Sequence, residues 1–145
     1  MEMKEFHWLL NIIQHMEVGV VVMDKENRIQ IWNGFMESHS GQLGYQVKGQ
    51  DLFAIFPEID RVWFERKLNL VRTLHNPAFI CWEQRAYLLK FANKRPITGS
   101  APHMYQNITI MPLSSPGEAE SYLAILIYDV TDQAVQPELA APPQA

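Results

Sequence analysis

The feature that most constrains this chain is an uncharged, β-rich run at residues 122–128, within the segment SYLAILIYDVTDQ. Such a run is typical of a central, well-buried strand, so the chain must contain a sheet that encloses it. Asp129, Thr131 and Asp132 follow at once, and these residue types cap helices or form turns. The sequence beyond them offers little that could form a helix. We therefore predict a disordered Pro/Ala-rich tail over residues 133–145.

Size and charge exclude several classes of protein. A chain of 145 residues fits one domain with a real hydrophobic core. Its net charge of −4 argues against nucleic-acid binding. No apolar stretch is long enough to span a bilayer, and residues 1–23 lack the pattern of a secretory signal. We expect a cytoplasmic protein that binds neither membrane nor nucleic acid.

Hydrophobic periodicity predicts the order of elements. Residues 1–17 hold an amphipathic helix whose apolar stripe consists of Phe6, Leu9, Leu10, Ile13 and Met16. VGVVVMD and IQIWN read as two strands joined by a tight polar turn, and short helical pieces follow. A longer helix is predicted over residues 61–74, and three strands come after it, the first within AFICWEQRAYLLKF.

Two strands, a helical stretch and three strands predict an α+β fold: a five-stranded antiparallel sheet with helices on one face. We assign this domain to residues 18–132 and place the amphipathic helix before it. A hollow between the central helices and the sheet is where such a fold would hold a small molecule.

Three segments resemble the signatures of PAS domains, from about residue 11 to residue 133. GVVVMDKENRIQIWN is similar to the opening hairpin of the family, and SGQLGYQVKGQDLFAIFPE to its next signature. YDVTDQ resembles the Asp-Val-Thr ending that joins PAS domains to the proteins they control. The block CWEQRAYLLKF, with MYQNITIMPL, also resembles PAS domains attached to diguanylate cyclases.

The resemblance implies a sensory or signalling module that regulates a kinase or a cyclic-di-GMP cyclase. Asp129 and Thr131 are then the residues that transmit the signal from the last strand to a helix. The start at Met1 and the Pro/Ala-rich finish favour a freestanding protein that acts on a partner over a piece excised from a longer one.

Candidate cofactors can be compared with the residues present. The flavin chemistry of light-sensing PAS domains needs a cysteine in a helical motif, whereas Cys81 falls in a predicted strand and is better read as a small buried hydrophobe. Counting from the segment FPE, the position that corresponds to the histidine of haem-binding PAS sensors falls at Phe64, which cannot bind iron. His75, at the end of the long helix, is the remaining haem-ligand candidate. We expect no cofactor, with haem or flavin as the alternatives, and a colourless protein.

No catalytic motif is present, so no residue is assigned a catalytic role and we expect no enzymatic activity. Several aromatic and polar residues could instead border a ligand pocket: Trp63, Cys81, Arg85, Tyr105 and Asn107. Two alternatives to a ligand pocket stay open. In the first, aromatic side chains fill the hollow and leave no cavity. In the second, Glu83 and Arg85 form a solvated pair on the outer face of the sheet.

The N-terminal stripe predicts self-association or docking to a signalling partner. A helix placed before the first strand cannot enter the core without displacing the central helices, and a contiguous apolar stripe usually marks an interface. The alternative is that the stripe covers the outer face of its own sheet. We expect a homodimer, or a complex with a partner protein.

Overall fold

The computed structural model describes residues 2–93, 103–114 and 121–135. The helices in this part of the chain are α1 (Met3–His15), α2 (Gly34–Ser40), α3 (Gly44–Val47), α4 (Leu52–Ile55), α5 (Arg61–Leu74) and α6 (Thr131–Val135). The strands are β1 (Gly19–Met23), β2 (Ile29–Trp32), β3 (Ala78–Ile80), β4 (Gln106–Pro112) and β5 (Leu123–Asp129). The predicted order of helix, hairpin, helices and three strands is confirmed.

The described strands form one antiparallel sheet in the order β2-β1-β5-β4-β3. The uncharged run at residues 122–128 supplies β5, which lies at the centre and pairs with β1 on one side and β4 on the other. Its central place explains most of its composition, because a strand with two neighbours and one covered face has few positions where a charge meets water. The predicted α+β sheet is therefore confirmed.

Helix α5 packs across one face of the sheet, as predicted for residues 61–74. Phe64, Leu68 and Val71 recur at helical spacing and are buried against the strands. Alternate residues of β4 and β5 point into the same core, among them Ile108, Ile110, Ile125 and Ile127. The space between helix and sheet is thus occupied by a continuous set of large apolar side chains.

The strand predicted within residues 78–91 is shorter than expected, because β3 ends at Ile80. The chain turns there, and the backbone N–H groups of Gln84 and Arg85 both donate to the carbonyl oxygen of Cys81 at 2.9 and 3.1 Å. Cys81 consequently lies in a turn and is half-buried, so the prediction that it belongs to a strand is wrong. The β-propensity of these residues favours a strand. After Ile80, however, hydrogen bonds from the side chains of Gln106 and Asn107 take the place of pairing with a neighbouring strand.

The prediction that little helix follows Asp129 is also wrong for the residues next to it. Helix α6 includes positions 133–135, and the N–H of Ala134 donates to the carbonyl of Val130 at 3.0 Å. The rest of the predicted tail, residues 136–145, lies outside the described residues.

The β1–β2 turn is fastened to α5 by Arg72. Its guanidinium donates to the carbonyl of Asp24 at 3.0 Å and to the side-chain oxygen of Asn27 at 2.7 Å. Burial lowers the pKa of Arg72, while the charges of Asp24 and Glu65 act in the opposite direction. This clamp fixes the hairpin relative to the helix that covers the core.

Aspartates begin two of the helices, as their residue type suggests. Asp51 accepts a hydrogen bond from the N–H of Phe53 at the start of α4, and Asp60 accepts one from the N–H of Trp63 at the start of α5. No helix among the described residues has the length and apolar character needed to cross a membrane.

Candidate functional site

The five residues predicted to border a pocket occupy two different places in the fold. Trp63 and Arg85 line a cavity of about 330 Å³ between the start of α5 and the turn after β3. Cys81 and Asn107 line a groove of about 390 Å³ on the outer face of the sheet, beside Tyr128. Tyr105 lines neither of these two spaces. Within the described residues, therefore, the five side chains do not converge on one cavity.

Trp63 and Arg85 form a compact pair on the helical side of the molecule. The guanidinium carbon of Arg85 lies 3.7 Å from the centre of the Trp63 ring, a cation–π arrangement. A guanidinium nitrogen of Arg85 also lies 3.8 Å from a carboxylate oxygen of Asp60. Both members of the ion pair are substantially exposed, so the pair contributes little to stability. Among the described residues Arg85 is paired with Asp60, so the alternative that it pairs with Glu83 is wrong.

Asn107 and Tyr105 serve the local structure around Trp82. The side-chain oxygen of Asn107 accepts a hydrogen bond from the backbone N–H of Trp82 at 2.9 Å. The rings of Trp82 and Tyr105 meet edge to face with centroids 5.8 Å apart. Both contacts hold the turn after β3 against β4, which gives these two residues a structural role in addition to any contact with a ligand.

The polar residue of β4 that points into the core is Gln106, which was not among the predicted site residues. Its side chain is fully buried, accepts from the N–H of Leu88 at 2.9 Å, and donates to the carbonyl of Leu89 at 2.8 Å. One amide thereby satisfies backbone groups that would otherwise need a neighbouring strand. The signal was present in the sequence, because Ile108 and Ile110 are apolar and strand alternation puts Gln106 on their face.

Asp129 and Thr131 form a hydrogen-bonded junction between β5 and α6. The Asp129 carboxylate accepts from the N–H of Thr131 at 3.0 Å and from its hydroxyl at 2.5 Å. The buried Thr131 hydroxyl oxygen in turn accepts from the N–H of Tyr105, at 3.1 Å. The N–H of Val130 donates to the Tyr105 carbonyl at 2.9 Å. The first turn of α6 is therefore bonded both to the end of β5 and to the residue that precedes β4.

The apolar residues of α1 are largely uncovered. Phe6 and Leu9 are 50% and 45% exposed, and within the described part of the chain no side chain of α1 is buried. The exposed apolar set is wider than the predicted stripe, since it also includes Met3, Trp8 and Ile12. The alternative that this stripe is buried on the outer face of its own sheet is therefore wrong.

Helix α1 is attached to the domain at its C-terminal end. The side-chain amide of Asn33 donates to the carbonyl oxygens of Ile13 and Val18, both at 2.8 Å. Gln14 donates to the carboxylate of Glu37 at 2.8 Å. At Gly34 an added Cβ would lie 2.3 Å from the carbonyl oxygen of Gln14, so the close approach of α1 and α2 requires glycine.

The residues present do not fit a haem between α5 and the sheet. Phe64, which counting along the sequence placed where a haem-ligating histidine would be expected, is completely buried in the core. His75 is exposed at the C-terminal cap of α5 and adopts a left-handed backbone conformation with φ of 55°. Among the described residues, no group of three or more His, Cys, Asp or Glu side chains is arranged to hold a metal ion.

The fold is an α+β domain with helices on one face of an antiparallel sheet, and a family model matches it. The model, described as the PAS fold, matches residues 9–85, which is more than half of the chain. The chain belongs to the PAS family. Among curated proteins, none matches this sequence significantly.

Several solved structures are similar to the chain along most of its length. A sensory box sensor histidine kinase from Vibrio cholerae shares 24% identity and superposes with a TM-score of 0.61, covering 88% of this chain and 94% of that one. The PAS domain of BvgS from Bordetella pertussis shares 17% identity with a TM-score of 0.62 and 94% coverage of both chains. The PAS domain of the histidine kinase ThkA shares 22% identity with a TM-score of 0.55, covering 79% of this chain and all of its own. At these identities the likeness concerns the fold.

Proposed function

We propose that the chain is a PAS sensory and signalling module without catalytic activity, which regulates a kinase or a cyclic-di-GMP cyclase as its output partner. The observation that carries this proposal is the junction of Asp129, Thr131 and Tyr105. Membership of the PAS family and the presence of histidine kinases among the similar structures support it. A cytoplasmic location would suit such a role and stays a prediction.

The junction gives the sheet a means of controlling where α6 leaves the domain. Thr131 is held by β5 through Asp129 and by the start of β4 through Tyr105. A change in the relative position of these two strands would lengthen one bond or the other. Because a buried hydroxyl left without partners costs about 1–3 kcal/mol, the first turn of α6 must follow the strands or lose its cap.

The packed core favours a module that works by contact with other proteins over one that encloses a ligand between helix and sheet. The side chains of Phe64, Leu68, Met104 and Ile110 are almost entirely buried there. The outer face of the sheet has a different character: Phe79, Thr109 and Leu126 follow one another across the strands and carry no charge. Phe79 is 72% exposed.

The partner that best fits these two uncovered surfaces is a second copy of the chain. The α1 stripe and the outer sheet face are both apolar, and the chain does not bury the stripe itself. Burial of one large apolar side chain stabilises by about 1.5–3 kcal/mol, so a two-fold pairing that covers several of them would be stable. A different signalling partner with an apolar surface is the alternative.

We call this coupling of α6 to β4 and β5 the junction relay. It is tested in a chimera in which residues 1–135 replace the PAS domain of a histidine kinase. Thr131→Val keeps the shape of the side chain but removes both hydrogen bonds at the hydroxyl. We expect autophosphorylation to change several-fold, as a shift of about 1 kcal/mol in the junction implies, while circular dichroism shows a folded domain. Thr73→Val, at an exposed site on α5, is the matched control and should leave activity unchanged. Equal activity of the two variants would contradict the relay.

The dimer is tested by replacing Phe6 and Leu9 together with Glu. These positions are preferred to Ile13, which is half-buried and whose carbonyl accepts from Asn33. We expect the wild-type protein to sediment as a dimer and the variant as a folded monomer. Glu at Val62 and Leu70, two exposed apolar sites on α5, is the control and should leave the dimer intact. A wild-type protein that stays monomeric at high concentration would rule the interface out.

A further inference from the structure

A small cavity outside the hydrophobic core combines two positive charges with an amide and an indole ring. It has a volume of about 210 Å³ and is lined by Trp63, Lys67, Ile80, Gln84 and Arg85. Trp63 and Lys67 are four residues apart on α5 and so lie on the same face of the helix. Gln84 and Arg85 reach the cavity from the turn after β3. We name this feature the Lys67–Arg85 cavity.

The two cations of this cavity are poorly neutralised. Lys67 is half-buried, and in the part of the chain that the structure describes its ammonium group has no ion pair or hydrogen bond, whereas the Arg85 side chain is 39% exposed. The carboxylate of Asp60 lies 3.8 Å from Arg85, which is too long for a hydrogen bond. Two like charges beside one small cavity repel each other unless an anion lies between them.

The shape of the arginine site favours an oxyanion. The Arg85 guanidinium is held against the Trp63 ring at 3.7 Å, which restricts its orientation before any ligand arrives. A planar guanidinium presents paired donors that match the oxygens of a carboxylate or a phosphate, and a lysine adds a compact charge. The volume suits a small anion or the charged end of a larger molecule.

We propose that the Lys67–Arg85 cavity binds a small oxyanion, a carboxylate or a phosphate group, through the two cations, with Asp60 acting as the internal competitor for Arg85. This site lies outside the helix–sheet core, and the proposal does not rest on the junction relay. Binding would draw Arg85 away from Asp60 and pull the turn after β3 towards α5.

The test titrates the full chain with inorganic phosphate, and separately with succinate, against sodium chloride of equal ionic strength. The indole N–H resonance of Trp63, assigned by comparison with Trp63→Phe, reports binding by NMR. We expect a saturable shift with at least one of the two anions. Lys67→Gln should weaken binding about tenfold or more, as expected for loss of a charge-assisted contact. Lys90→Gln, at an exposed lysine away from the cavity, should not change the dissociation constant.

Asp60→Asn provides the second variant. Asparagine caps a helix as well as aspartate does, so α5 should remain intact while the competing charge disappears. We expect tighter binding by a factor of about two to five, the effect of removing one nearby exposed charge. Saturation by phosphate alone or succinate alone identifies the class of anion. Shifts that are linear and equal to those with sodium chloride, or equal affinities for Lys67→Gln and Lys90→Gln, would overturn the proposal. Because binding is measured directly, failure of the relay chimera would leave this result unaffected.

Discussion

Helices α1 and α5 are both amphipathic and of nearly equal length, yet the fold uses them in opposite ways. Helix α5 buries Phe64, Leu68 and Val71 against the sheet. Helix α1 leaves Phe6 and Leu9 about half exposed, and buries no side chain within the described residues. An apolar stripe therefore predicts that a helix will bury one face, but it does not say whether the covering surface belongs to the same chain.

The two helices also differ in how they are attached. Helix α5 is held along its length by core packing and by the Arg72 clamp to the β1–β2 turn. Helix α1 is held near its last turn, by Asn33 and by the close approach at Gly34. A helix fixed at one end presents its free apolar face to another molecule without disturbing the core.

The largest expected difference between the helices is in the free energy of unfolding. Phe64→Ala should destabilise the domain by about 3–5 kcal/mol, because it removes a fully buried ring and leaves a cavity in a packed core. Phe6→Ala is the matched change on α1 and should alter the stability of the monomer by less than about 0.5 kcal/mol. Urea unfolding at low protein concentration, where any dimer has dissociated, measures both. Similar losses would show that α1 is part of the folding core.

A smaller effect should separate the docking of α1 from the stability of the domain. In Gly34→Ala the new methyl group would meet the Gln14 carbonyl, so the end of α1 must move away. We expect a loss of about 1–2 kcal/mol and faster amide hydrogen exchange in α1, with protection unchanged in α5. Thr73→Ala, at an exposed position of α5, is the control, since the substitution adds no atom and lies on a different helix from the α1–α2 contact. Protection of α1 that survives Gly34→Ala would show that other contacts hold the helix.

The smallest effect concerns the ends of the two helices. His75 closes α5 with a left-handed φ of 55°, whereas Met16 closes α1 in an extended conformation with φ of −67°. His75→Gly should stabilise the domain by about 0.5–1 kcal/mol, because glycine adopts the left-handed region without a steric penalty. Met16→Gly should give no such gain. Thermal unfolding distinguishes the two, and a loss of stability in His75→Gly would indicate that the imidazole makes a contact worth more than the strain.

The candidate site was harder to derive from the sequence than the sheet. Tyr105 and Asn107 were grouped with Arg85 because all three are polar, but Gln106 is the residue of β4 that faces the core. Trp63 and Arg85 do meet, since the turn at Cys81 brings the chain back towards α5. That turn could not be foreseen, because AFICWEQRAYLLKF has the composition of a strand, and the side chains of Gln106 and Asn107 that bond to its backbone lie far along the chain.

The sequence by itself determined the order of the elements, the central place of β5 and the extent of α5. Each of these depends on local periodicity and on an uncharged run, which any fold of this chain must bury. The tertiary structure alone decided where β3 ends, that Gln106 supports the segment after it, and that α1 stays uncovered. The physical reason is that the hydrogen-bond partners and covering surfaces of these segments come from residues far along the chain or from another molecule. The local sequence pattern does not indicate such partners.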